Sequence, residues 1–211
     1  MLRRSARSRF ERSVRSAGLV AVVAAVLVSG CSADSGTPGA SPSTPTATSP
    51  SATSPSETQP IDAVDNVQGK SGTYSVVPPQ GWGEATDEVG AIPGVDLVLM
   101  SSEKRAGFNT NLVVHVATGD AAVLESELQK GREQLAGQGR TVSDAPPLTV
   151  GGSPAKGFTT SFTQQGVDVV ARSYGLQHEG RVYLLTLSSA KSAAEQAAAE
   201  LTQIAESWTW A

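Results

Sequence analysis

The sequence predicts an α+β fold: an antiparallel sheet with helices packed on its faces, set behind a long polar linker. Three observations predict it. In its last quarter the chain carries β-rich runs separated by short polar breaks that end in Gly, the pattern of hairpins. Two other stretches repeat apolar residues at three- and four-residue steps, the period of a helix. All three Trp, all three Tyr and three of the four Phe lie after residue 61, so residues 61–211 hold the material for one core of ordinary domain size.

Taken in order, Thr73 to Val77 is a short β-rich run, stopped by Pro78-Pro79, which cannot continue a ladder. Asp96 to Ser101 and Asn111 to Val116 read as two more strands, joined by a polar loop containing Gly107 and Asn109. Asp120 is placed to N-cap a helix, its carboxylate accepting orphan backbone N–H groups. Ala121, Leu124, Leu128, Gly131 and Leu135 then form one apolar stripe on a helix that ends near Gly137. Leu148 to Val150, Ala155 to Phe162, Val167 to Leu176 and Val182 to Ser188 read as a four-strand antiparallel meander, with breaks at Gln164-Gln165-Gly166 and His178-Glu179-Gly180. Val170, Arg172 and Tyr174 share one face of the third of these strands and Val167, Val169 and Ala171 the other, so the sheet is expected to be covered on both sides. A last helix starts near Ser189 and carries Ala194, Ala197, Leu201, Ile204 and Trp208 on one stripe. Trp210 lies past that stripe and is expected to be exposed.

The chain before residue 61 has a different character. Arg3, Arg4, Arg7, Arg9, Arg12 and Arg15 precede an apolar run from Ala17 to Val28 and the small pair Ser29-Gly30, the order of a secretory signal. A membrane span needs about 20 apolar residues, and this run has about 12. The pentapeptide Leu27-Val28-Ser29-Gly30-Cys31 resembles the lipobox of bacterial lipoproteins. That resemblance implies a signal peptide over residues 1–30, cleavage between Gly30 and Cys31, and a diacylglyceryl group on the Cys31 thiol. One acyl chain gives marginal membrane binding and two make it stable, so the expected membrane contact is the lipid on Cys31. The expected location is the extracytoplasmic face of the cell membrane. The Arg3-Arg4 pair lacks the apolar residues that accompany a twin-arginine signal, which favours the general secretory route.

Ser32 to Pro60 is 29 residues, 26 of them Ser, Thr, Pro, Ala or Gly. Such a segment cannot bury enough apolar surface to offset its ordering entropy, which predicts a disordered tether over residues 31–60. At about 3.1 Å per residue its maximum reach is on the order of 90 Å. Ser and Thr beside Pro also suit O-glycosylation of a stalk. Residues 1–30 hold six of the 16 Lys+Arg and one of the 20 Asp+Glu, leaving 10 basic against 19 acidic residues beyond them. That balance argues against nucleic acid as a partner. With Cys31 modified, no thiol remains for a disulfide.

Ser75-Val76-Val77-Pro78-Pro79-Gln80-Gly81-Trp82, the run from Gly180 to Ser189, and Ile204-Ala205-Glu206-Ser207-Trp208 are similar to segments of the LpqN-type lipoproteins of mycobacteria and relatives, part of the wider PsbP-like fold. The resemblance spans most of residues 70 to 210. It implies an antiparallel sheet of about six strands between helices, an α/β/α sandwich used mainly to bind other proteins. No catalytic residue is carried over.

The candidates for chemistry are few. Gly151-Gly152-Ser153-Pro154-Ala155 resembles a Gly-x-Ser-x-Gly elbow, but its last Gly is missing, Pro follows the Ser and a strand rather than a helix comes next. His115 falls in a strand and His178 in a turn, neither with a Cys or second His at ligand spacing, so His115 reads as half-buried and His178 as solvated. Glu84, Asp87, Glu88 and Asp96 form an acidic stretch without the spacing of a calcium loop and read as a solvated loop. No metal, cofactor or catalytic set is therefore expected. Two classes of function remain: a non-enzymatic protein-interaction module with an envelope or secreted protein as partner, or a carrier of a lipid or other apolar ligand. A continuous apolar pocket of roughly 300 Å³ or more favours the carrier, and a filled core with an exposed apolar patch favours a protein partner.

Overall fold

The structure, a computed structural model, describes residues 66–88 and 92–211. The signal segment, Gly30, Cys31 and the tether expected over residues 31–60 lie outside the described residues.

Among the described residues eleven strands and two α-helices follow in the order β1 (Val67–Gln68), β2 (Tyr74–Val76), β3 (Trp82–Glu84), β4 (Val95–Arg105), β5 (Phe108–Thr118), α1 (Ala121–Gly137), β6 (Thr141–Asp144), β7 (Leu148–Val150), β8 (Ser153–Gln164), β9 (Val167–His178), β10 (Arg181–Ala190), α2 (Ala194–Ser207) and β11 (Thr209–Trp210). The main sheet runs β3-β4-β5-β10-β9-β8-β6, with β7 paired to β8, and every pairing in it is antiparallel. A separate three-stranded sheet runs β1-β2-β11. The expected meander is β7 to β10. The strand count exceeds the expected six, and β1, β3, β6 and β11, each of two to four residues, are too short to show a period.

Four hairpins close with two-residue turns, each with both residues at positive φ: Ala106-Gly107, Gly151-Gly152, Gln165-Gly166 and Glu179-Gly180. This is the turn whose twist matches paired strands, and a Gly at the second position adopts it without a Cβ clash. The first of them corrects the expected loop around Gly107 and Asn109. Asn109 is inside β5, its side-chain amide donates to the Ser101 carbonyl at 2.9 Å, and the strands run on to Arg105 and Phe108.

The main sheet separates two cores, and β10 shows how. Val182 and Leu184 face α1, where they meet Leu124, Leu128, Leu135 and Phe158. Tyr183, Leu185 and Leu187 face the other way and pack with Leu97, Leu99, Leu112, Val114, Tyr174 and Leu176 under Ala197, Leu201, Ile204 and Trp208. Tyr74 and Val76 join this second core, so the small sheet shares the α2 face. Both faces are thus covered, as the two-sided pattern of β9 requires.

Asp120 caps α1 as expected, its carboxylate accepting from the Ala122 and Val123 N–H groups at 3.0 Å. Arg132 fastens α1 down: its guanidinium donates to Asp144 at 2.9 Å and to the Gly157 carbonyl at 2.8 Å, and lies over the Phe158 ring. The start of the last helix differs from expectation. Ser189 and Ala190 continue β10, one 3-10 turn follows at Lys191–Ala193, and α2 begins only at Ala194. Arg105 at the end of β4 reaches α2, donating to both Glu200 carboxylate oxygens at 3.1 and 3.3 Å.

Candidate functional site

Ser153 is the first residue of β8 and directly follows the Gly151-Gly152 turn, paired across it with Val150. A hairpin turn of this kind leads into a paired strand, so the segment is a corner of the fold and lacks the strand-turn-helix setting of a nucleophile elbow. His115 is half-buried on β5, paired with Val95 and Leu184, and burial pulls its pKa below the ordinary value. These two residues stand where the sequence put them and are not brought together with a second catalytic group.

His178 differs from its expected solvated state. Its ring lies parallel to that of Trp210 with centroids 4.0 Å apart and planes at 10°. Trp210 in turn differs from its expected exposure, because the chain leaves α2 in an extended conformation at Trp208 and adds β11 to β2. Its ring meets Tyr183 at 5.0 Å and Trp208 at 5.5 Å, and its indole N–H donates to the Gly151 carbonyl at 2.9 Å. The signal that could have found this is Trp208-Thr209-Trp210, large residues at a two-residue step, which is a strand period following a helical one.

The acidic stretch also divides. Asp87 is exposed and pairs with Lys70 at 3.0 Å. Asp96 is 7 % exposed, which corrects its reading as part of a solvated loop. Its carboxylate accepts the Ser71 backbone N–H at 2.7 Å and the Ser71 hydroxyl at 3.1 Å. From Ser71 the hydroxyl chain continues through Thr73 at 2.8 Å to Tyr183, whose phenol donates to Thr73 Oγ1 at 3.0 Å. Burial, and after it the neighbouring Asp96 carboxylate, hold the Tyr74 phenol well above its ordinary pKa. This network anchors residues 69–74, with the Tyr74 hydroxyl buried beside it and without a hydrogen-bond partner of its own. Among the described residues no group of three His, Cys, Asp or Glu is placed to hold a metal ion, and no helix is long and apolar enough to cross a membrane.

Two spaces bear on ligand binding. Between α1 and the sheet, a gap of about 30 Å³ is lined by Leu128, Leu135, Phe158, Tyr174 and Leu184, room for about one water. At one end of the sheet an open cleft of about 450 Å³ lies among Ala106, Gly166, Val167, Asp168, Lys191 and Ser192. The register places this cleft at the tips of the β4–β5 and β8–β9 hairpins, the end of the sheet away from His178 and Trp210.

No family model matches the sequence, and no curated protein matches it. Several solved structures are similar in fold. LpqN of Mycobacterium tuberculosis, described as involved in cell envelope biogenesis, is 15 % identical with a TM-score of 0.48 over 65 % of this chain and 82 % of its own. The cyanobacterial PsbP of Synechocystis is 17 % identical with a TM-score of 0.44 over 75 % of this chain and all of its own. The Ran-binding protein Mog1p of Saccharomyces cerevisiae is 15 % identical with a TM-score of 0.47 over 70 % of this chain and 96 % of its own. At these identities the likeness is one of general architecture, and no binding or catalytic role passes to this chain with it.

Proposed function

We propose that the chain is a membrane-anchored lipoprotein of the cell envelope, held on the extracytoplasmic face by acyl chains on Cys31, whose domain binds a protein and catalyses nothing. The observation that carries the reading is the order of the chain. A lipobox-like pentapeptide ends on its one Cys, a 29-residue Ser/Thr/Pro-rich stretch follows, and a folded domain stands beyond it. An anchor, a spacer and a domain in that order present a surface away from a bilayer. The surface offered is the hairpin-tip end with its open cleft, because the β1–β2 connection, just past where the spacer joins, is bonded to the start of β4 at the other end through the Lys70 N–H and the Asp96 carbonyl. The gap of about 30 Å³ under α1 is far below the space an acyl chain needs, and the cleft of about 450 Å³, though large enough, is open and lined by Asp168, Lys191 and Ser192 beside its apolar groups, so neither is the continuous apolar pocket a carrier calls for.

The test is metabolic labelling with a palmitate analogue and detergent phase partition of wild type and Cys31→Ser, followed by crosslinking on intact cells. Wild type is expected in the detergent phase with label, and Cys31→Ser as an unlabelled, uncleaved precursor. A water-soluble wild type whose mature form begins after Cys31 overturns the anchoring. An ester, amide or phosphate hydrolysis that survives purification and is lost on substituting Ser153, His115 or His178 overturns the non-enzymatic reading.

A further inference from the structure

We propose that residues 209–211 are a latch on the hairpin through which the chain enters the domain, with Trp210 as its bolt. The β1–β2 hairpin belongs to the small sheet and not to the main one, so no ladder of the main sheet holds it. β1 adds only two residues to β2. On the other side of β2, Thr209 and Trp210 pair with Ser75 and Tyr74, and the Ala211 N–H donates to the Thr73 carbonyl at 3.0 Å. The latch therefore clips to the strand that the entering chain forms.

Trp210 ties that clip to three parts of the main body at once. Its face covers His178 on β9, its edge meets Tyr183 on β10, and its N–H holds the carbonyl of Gly151 in the β7–β8 turn. The fit at that turn is close, since a Cβ at Gly151 would stand 2.6 Å from the Trp210 indole nitrogen and 2.8 Å from Trp208. A half-buried ring of this kind opens before the buried core does, because local opening draws on the contacts of its own segment only. With the latch open, residues 67–77 keep Tyr74 stacked on Trp208 and the bonds to Asp96 and Ser207, and lose the clip and everything it reaches. The inference concerns the domain alone and does not depend on acylation of Cys31.

The experiment is amide hydrogen exchange on the full chain, read segment by segment. Trp210→Ala and His178→Ala are expected to speed exchange of the Val67–Val76 amides about tenfold or more, while β9 and β10 keep wild-type protection. Trp210→Phe keeps the stacked ring, loses the bond to Gly151, and is expected to give a smaller rise. Unchanged protection of Val67–Val76 in Trp210→Ala overturns the latch. So does a loss that runs equally through β9 and β10, because Trp210 is then an ordinary part of the cooperative core.

Discussion

Trp208 leaves α2 with its backbone extended and lays its ring parallel to that of Tyr74, centroids 4.0 Å apart, with Tyr183 set edge-on to both. Truncating it removes the floor of the larger core, and Trp208→Ala is expected to cost about 3–5 kcal/mol in chemical unfolding. Beside it, Tyr74 gives the domain an alkaline limit. Its pKa is raised above the ordinary value of 10.0 in the folded state, first by burial and then by Asp96. Stability from this group is therefore complete below pH 10 and falls as pH rises beyond it, by up to about 1.4 kcal/mol per pH unit. Tyr74→Phe is expected to flatten the alkaline limb of a stability-against-pH curve, and equal limbs in both proteins would refute the assignment. Single residues were unevenly legible. The i, i+3, i+7 stripe found Trp208, because helical period and burial agree there. Asp96 was missed because its hydrogen-bond partner is Ser71, 25 positions away, and no local pattern encodes such a contact.

The longer elements stand on local signals, and the signals differ in strength. Asp120 caps α1 through two bonds of 3.0 Å, so Asp120→Ala is expected to cost about 1 kcal/mol, read by thermal unfolding, with the fold unchanged. The link between β4 and α2 has more at stake. Arg105 and Glu200 have side chains only 17 % and 11 % exposed, and removing one leaves the other charged and poorly solvated. Arg105→Met alone is expected to cost about 3 kcal/mol, and adding Glu200→Leu to recover most of it. A double variant no more stable than the single one would show that the charge left behind is not the cause. Helix α1 and the Gly-closed hairpins could be read directly, since cap, stripe and turn chemistry point the same way. The start of α2 could not: Ser189-Ala190 suits a strand end or a helix start equally, and pairing of Ser189 with Val170 in β9 decides for the strand.

At the scale of the whole molecule, the layered architecture was legible because both faces of β9 and β10 carry apolar residues, which only a covered sheet can use. Of the small sheet only β2 was, because β1 and β11 are two residues each, stabilised by what they join and without a period of their own. Limited proteolysis is expected to release a compact fragment with its first residue between about 61 and 67, since β1 begins at Val67 and is paired. Cuts that spread through Tyr74–Val76 before the rest of the domain is degraded would count against a docked β2. The pairing of β11 with β2 also has a practical side, because it sets residues 73 and 211 next to each other. A reporter fused after Ala211 would emerge at the turn end of the β1–β2 hairpin, one strand across from β1, and would press on the loop that holds Ser71 and Asp96 together. A reporter or affinity tag inserted at the Ala106-Gly107 turn would sit at the opposite pole, free to be captured without touching the small sheet.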